Sequence, residues 1–198
     1  MNYRFSWWYT VLTINLTPDT IPIVIYLPFT ILATLVFLIS GDDDLSDWQR
    51  IKNVVAIYLS MIIHEGSHMA VAIITGIGIS ELGFGGLFAY VMPIDLSNHL
   101  AVIVMVLAGP LSNYVLYKLT SGVLSEWNKR LWEGNMSPVP PLDGFRVLEH
   151  IGYVIGIGSW GGTIVIIYLL TRYICKRIDI WDDIVSKVKE EIDSIVGC

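Results

Sequence analysis

Charge is in short supply in this 198-residue sequence. Lysine, arginine, aspartate and glutamate make up 15% of it, beside 54% hydrophobic residues, whereas a soluble domain carries about a quarter charged and just under half apolar residues. Cysteine is nearly absent as well. Cys175 and Cys198 are the only two, one near the end of an apolar block and one at the terminus, so no disulfide framework is indicated and the redox compartment is left open. Basic residues are outnumbered 12 to 18, for a net charge of −6. With no basic stripe and no aromatic–basic interleaving, this balance argues against nucleic acid as a partner. The acidic residues gather at Asp42–Asp44 and in the tail, which describes solvated ends more than a binding surface. A cleavable leader is not expected either, because Arg4 is the one early basic residue and no small-residue cleavage site follows a short apolar core.

What the sequence does have is long apolar runs. Ile21–Ser40, Ile51–Thr75 and Leu100–Leu119 approach or exceed the roughly 20 residues that cross a bilayer's hydrocarbon core. Ile151–Cys175 is as apolar but contains five glycines. The runs predict an all-α polytopic integral membrane protein with four to five transmembrane segments, embedded in a lipid bilayer. Residues 1–20, with Trp7, Trp8 and Tyr9, suit an interfacial segment. Residues 21–175 form the transmembrane domain, and 177–198 place Trp181, Ile184, Val185, Val188, Ile192 and Ile195 on one face of an amphipathic helix. Between the second and third runs, Gly76–Pro93 holds five glycines and alternates apolar residues around Phe84–Val91, the pattern of a small glycine-rich β hairpin. Ala108-Gly109-Pro110 predicts a kink in the third run. Residues 118–137 are too polar to span. Pro138, Pro140 and Pro141 then force an extended stretch, and a helical pattern resumes over Leu142–His150.

The chemistry centres on His64-Glu65-Gly66-Ser67-His68. Histidines at i and i+4 of a helix leave the same face one turn apart and can chelate one zinc ion. Glu65 between them is placed to move a proton to and from a water at the metal. His64 lies about 13 residues into its run, or roughly 20 Å along a helix axis. Ionisable side chains at that depth cost roughly 2.5–3.5 kcal/mol each and persist mainly where they have a function. A catalytic zinc needs a third protein ligand, and the next histidine, His99, is too far along the chain for metzincin spacing. Glu126, Glu133 and Glu149 are candidates, and Asp143, delivered by the proline-rich stretch, is a better one. An aspartate in that place also serves as a helix N-cap, and on these grounds alone the two readings of Asp143 stand level.

The HExxH pentad, followed by Asn135-Met136-Ser137-Pro138-Val139-Pro140-Pro141-Leu142-Asp143-Gly144, resembles the site-2 protease family of intramembrane metalloproteases, which pairs HExxH with a distant N-P-x-P-x-x-x-L-D-G motif. Arg146-Val147-Leu148, Ala108-Gly109-Pro110 with Asn113, and Gly83–Leu87 extend the likeness over about residues 51–150. The resemblance implies a zinc metalloendopeptidase with one Zn2+ per chain, held by His64, His68 and Asp143. Glu65 would be the general base, Asn135 would engage the substrate backbone, and a transmembrane protein or peptide would be the substrate. Met136 stands where the family has proline and Phe145 where it has a second glycine, departures that bear on loop shape. Asn113 and His150 are possible outer-shell groups around the metal. The plainer reading of the residues after Asp143 is an Arg146–Glu149 pair, with His150 marking where the helix leaves the apolar core. A competing function is a zinc-binding membrane transporter or sensor, but such a protein would carry further polar residues in its other spans. Ile21–Ser40 has no charged residue and Leu100–Leu119 only Lys118.

Overall fold

The structure is a computed structural model that describes residues 2–6, 9–14, 21–39, 45–86 and 88–177. The acidic run at 42–44 and nearly all of the C-terminal segment expected to be amphipathic lie outside these residues. The fold is mainly helical with a small strand region. Its elements in order are β1 (Asn2–Ser6), β2 (Tyr9–Ile14), β3 (Ile23–Tyr26), α1 (Leu27–Ile39), α2 (Asp47–Thr75), β4 (Ile79–Gly85), β5 (Phe88–Pro93), α3 (His99–Leu119), α4 (Gly122–Asn135), α5 (Asp143–Val154) and α6 (Trp160–Arg177).

The frame is α2 and α3, with α4 and α5 packed on them. Ser46 starts α2 with a capping box: its hydroxyl accepts from Gln49 N at 3.4 Å while Gln49 Oε1 accepts from Ser46 N at 2.8 Å. This satisfies two of the amides that a helix start leaves unpaired. Gly76 ends the helix at φ +75°, a left-handed turn that glycine adopts without strain. At 1.5 Å per residue α2 is about 43 Å long and α3 about 31 Å. Both are long and apolar enough to cross a membrane, by length and composition. Only 39% and 33% of their most apolar windows are buried inside the protein, whereas a core helix of a soluble protein would be mostly covered. Ile62 and Ile74 on α2, Val104 and Leu119 on α3, Leu32 and Ile39 on α1 and Ile167 on α6 all face outward. Such a surface suits hydrocarbon, not water, and makes the chain an integral membrane protein. The buried core lies where α2 meets α3 and α5, around Ala72, Ile77, Val102, Met105, Val106 and Val147.

Two apolar runs are divided between elements, the first of them expected as one span. Ile21–Ser40 divides into strand β3 and the 13-residue α1. The β-branched Ile23-Val24-Ile25 favours the pleated surface, and Pro28 fits the first turn of a helix, where no amide partner is needed. The run 151–175 is broken by the turn at 155–159, where Gly156 and Gly158 take φ of +85° and +64°. Gly152 and Gly161 meet backbone to backbone across that turn, so α6 folds back against α5. In contrast, α3 runs through Pro110 without interruption.

The strand region is larger than a hairpin. Five strands lie in the order β1-β2-β3-β4-β5, all neighbours antiparallel except the parallel pair β3–β4. Residues 2–6 and 9–14, expected to be an interfacial lead-in, supply two of these strands. In β4 the glycines make room for aromatics of the opposing strand. A side chain at Gly83 would collide with the Tyr90 ring and one at Gly85 with the Phe88 ring. β5 is an edge of this sheet and lies against α2.

Candidate metal centre

His64 and His68 sit one turn apart on the buried face of α2, and Asp143 is the first residue of α5. The N-cap of α5 is Leu142, so the capping role weighed for Asp143 is not the one it takes. Its carboxylate turns to the histidines instead. Asp143 Oδ2 lies 3.0 Å from His64 Nε2 and 3.4 Å from His68 Nε2, and the two Nε2 atoms are 3.0 Å apart. For zinc–ligand bonds of about 2.0–2.1 Å in a tetrahedron, neighbouring ligand atoms should be roughly 3.3–3.4 Å apart, close to this triangle.

The far sides of the rings explain why the donors face inward. His68 Nδ1 lies 2.7 Å from Met105 O, and a carbonyl only accepts, so this nitrogen carries the proton. His64 Nδ1 meets Asn113 Oδ1. With both imidazoles neutral, three lone-pair atoms converge with no proton among them, an arrangement that a cation satisfies and that is otherwise repulsive. The residues therefore fit a divalent metal ion, and among the described residues this is the cluster of three ligand-type side chains placed to hold one.

Two glycines permit the approach. A Cβ at Gly109 would press on the ring atoms of both His68 and His64, so the third helix comes close to the histidines only because this side chain is missing. A Cβ at Gly144 would collide with the carbonyls of Met136 and Ser137, which ties the start of α5 to the end of α4 and aims Asp143. Phe145, one of the two departures from the family pattern, packs its ring where a side chain of Gly162 would stand. The bulk gained on α5 is matched by a residue without any on α6.

A cavity of about 360 Å³ opens on the cluster. Glu65, Asn135 and Arg146 line it beside the three candidate ligands, and its far wall is the edge strand from Phe88 to Val91. Tyr90 is braced there: its hydroxyl donates to Glu81 at 2.6 Å and lies 3.1 Å from Tyr26 Oη. Burial, with the Glu81 carboxylate beside it, pushes the Tyr90 phenol above its ordinary range, so it remains a neutral donor. A second cavity of about 620 Å³ adjoins the first, sharing Tyr90 and Arg146 and adding Glu149 and His150.

The other candidates fall elsewhere. Glu126 pairs with Arg130 at 3.2 Å and Glu133 with Lys129 at 3.9 Å, all exposed on α4. Glu149 lines the second cavity. His150 Nδ1 meets His99 Nδ1 at 2.9 Å, and His99 stacks on Tyr153. No ion pair joins Arg146 to Glu149 among the described residues; Arg146 lines both cavities instead. Sequence reasoning missed Asn128, which is wholly buried. The available signal was its place at the middle of the i, i+4, i+7 stripe Leu124–Asn128–Leu131.

Helices that bury a His-His-Asp cluster at the centre of an apolar-faced bundle define a membrane-protein fold with a candidate metal-dependent site. The solved structure of the site-2 protease from Methanocaldococcus jannaschii has this fold: it matches with a TM-score of 0.56, over 86% of this chain and 88% of that one, at 20% sequence identity. The resemblance carried by the motifs is thus also one of fold. No protein-family model matches the sequence, and no curated protein matches it.

Proposed function

We propose that the chain is an intramembrane zinc metalloendopeptidase that hydrolyses peptide bonds within or near transmembrane segments of membrane-protein substrates. The observation that carries this reading is the convergence of His64 Nε2, His68 Nε2 and Asp143 Oδ2 on one cavity that Glu65 and Asn135 also line. One zinc ion per chain, held by these three ligands, would supply Lewis acidity and make water a nucleophile at neutral pH. Glu65 accepts the proton of the attacking water at its carboxylate and returns it to the leaving amine. The Asn135 amide donates to the substrate carbonyl as negative charge develops on its oxygen. A helical substrate hides its carbonyls, so it must unwind before attack. The edge strand β5 offers unpaired backbone on which an unwound segment can add as a strand. The same reading makes the chain multi-pass, with four to five crossings: α2 and α3 cross unaided, while β3 with α1 and α5 with α6 supply the rest.

The test is purified Glu65→Gln compared with wild type. Retained zinc with lost cleavage of a model transmembrane peptide is expected, and unchanged cleavage overturns the assignment. Zinc bound by both forms with no cleavage by either favours the transporter or sensor.

A further inference from the structure

Asn128 contacts neither cavity, yet it is wholly buried on a helix whose charged residues face outward. An amide at such depth needs all its partners, and those it finds lead to the metal centre. Asn128 Nδ2 donates to Leu124 O at 2.8 Å, one turn back on α4. Its Oδ1 accepts from Asn113 Nδ2 at 2.7 Å. Asn113, wholly buried on α3, directs the same Nδ2 group to Ser60 O on α2 at 3.3 Å and its own Oδ1 to His64 Nδ1.

Each member of this chain fixes the polarity of the next. The Leu124 carbonyl only accepts, so Asn128 must show it the NH2 group and turn its carbonyl to Asn113. Asn113 must then show its NH2 group to Asn128 and Ser60 and its carbonyl to His64. That places the His64 proton on Nδ1 and leaves Nε2 bare toward the cluster. A flipped Asn113 would set its oxygen against two other acceptors and its N–H against His64 Nδ1. The imidazole proton would then move to Nε2, the atom that must bind metal.

We propose that Asn128 is a positioning residue for the metal ligand His64: acting through Asn113, it holds the imidazole in the tautomer that leaves Nε2 free. This deepens the metal-site reading and rests on it. The relay joins α2, α3 and α4, so the polar segment after α3 serves the metal centre as well as linking α3 to α5.

The experiment uses the full chain in detergent, with zinc affinity measured by competition against a chromogenic chelator and the melting temperature taken without metal. Asn128→Leu, with the same branched skeleton but without the amide, should weaken zinc binding about tenfold, in line with loss of an outer-shell partner. Asn128→Asp should bind within about threefold of wild type, because a carboxyl in either protonation state accepts from Asn113 Nδ2. Wild-type affinity in Asn128→Leu overturns the relay. Equal losses in both variants overturn it too, since they mark a packing role. The histidine 15N spectrum of the metal-free wild type, with His64 identified by its absence in His64→Gln, reads the tautomer without any Asn128 variant. A proton on Nδ1 is expected, and one on Nε2 overturns the relay. Wild type that binds no zinc overturns the metal-site reading instead, and the spectrum still decides the relay.

Discussion

Gly109→Ala adds one methyl group at the point where α3 approaches the histidines. A Cβ there would lie 2.6 Å from His64 Nε2 and nearer still to ring atoms of His68, where ordinary contact begins at 3.4 Å. His64 Nε2 would have to retreat by about 0.8 Å, whereas metal-site distances hold to about ±0.2 Å. The retreating atoms are the metal donors, so zinc affinity should fall by about 100-fold or more, beyond the loss of an outer-shell partner. The metal-free fold should lose only about 1–3 kcal/mol, the usual range for overpacking. Gly66→Ala is the matched control in the same neighbourhood. It lies between Glu65 and Ser67, nothing stands within 4 Å of its added Cβ, and alanine should stabilise α2 by about 0.5–1 kcal/mol. Chelator competition measures zinc affinity, and thermal melting of metal-free protein in detergent measures the fold. Gly109→Ala binding zinc within about threefold of wild type would refute the steric reasoning, as would Gly66→Ala losing as much as Gly109→Ala.

Asp143→Asn should lose stoichiometric zinc in metal analysis, while glutamine at Glu126, Glu133 or Glu149 keeps it; the reverse pattern moves the third ligand to a glutamate. Asn135→Ala should retain zinc and lower kcat on a transmembrane peptide by about 10²-fold, the usual loss for one oxyanion donor; an unchanged kcat removes Asn135 from the chemistry. Gly144→Ala should destabilise the protein by about 1–3 kcal/mol through collision with the Met136 and Ser137 carbonyls, read as a lower melting temperature, and a neutral change would show that the turn yields.

The parts of the site legible in the sequence were those written locally. His64, Glu65 and His68 share one helix face whatever the tertiary fold, so their spacing alone brings them together. From the residues alone Asp143 was legible only as one of two roles, because choosing between cap and ligand depends on where α5 lands against α2, a contact across 79 positions; the family resemblance favoured the ligand. Asn128 was hidden because a polar segment reads as solvated until a neighbouring helix is known to bury it. The long runs that became α2 and α3 were plain from hydropathy. Ile21–Ser40 hid its division into β3 and α1 because β-branched residues are as apolar in a strand as in a helix, and a parallel partner such as β4 leaves no mark in the strand's own sequence. Gly109 attracted notice beside Pro110 as a kink, but its use is steric: α3 runs on through the proline, and the missing Cβ admits two imidazoles.

The separation of the ligands has a consequence in time. His64 and His68 lie on α2 and Asp143 on α5, so a chain made from its N-terminus presents two donors well before the third. At about 5–20 residues per second, some 4–15 seconds of synthesis separate His68 from Asp143. Through that interval the half-built cluster lacks the carboxylate that completes it and, for most of it, the Asn135 end of the cavity. On the function proposed here, the growing protein is harmless to the spans of its neighbours in the membrane, and competence to cut arrives only when α5 closes against the helices already laid down.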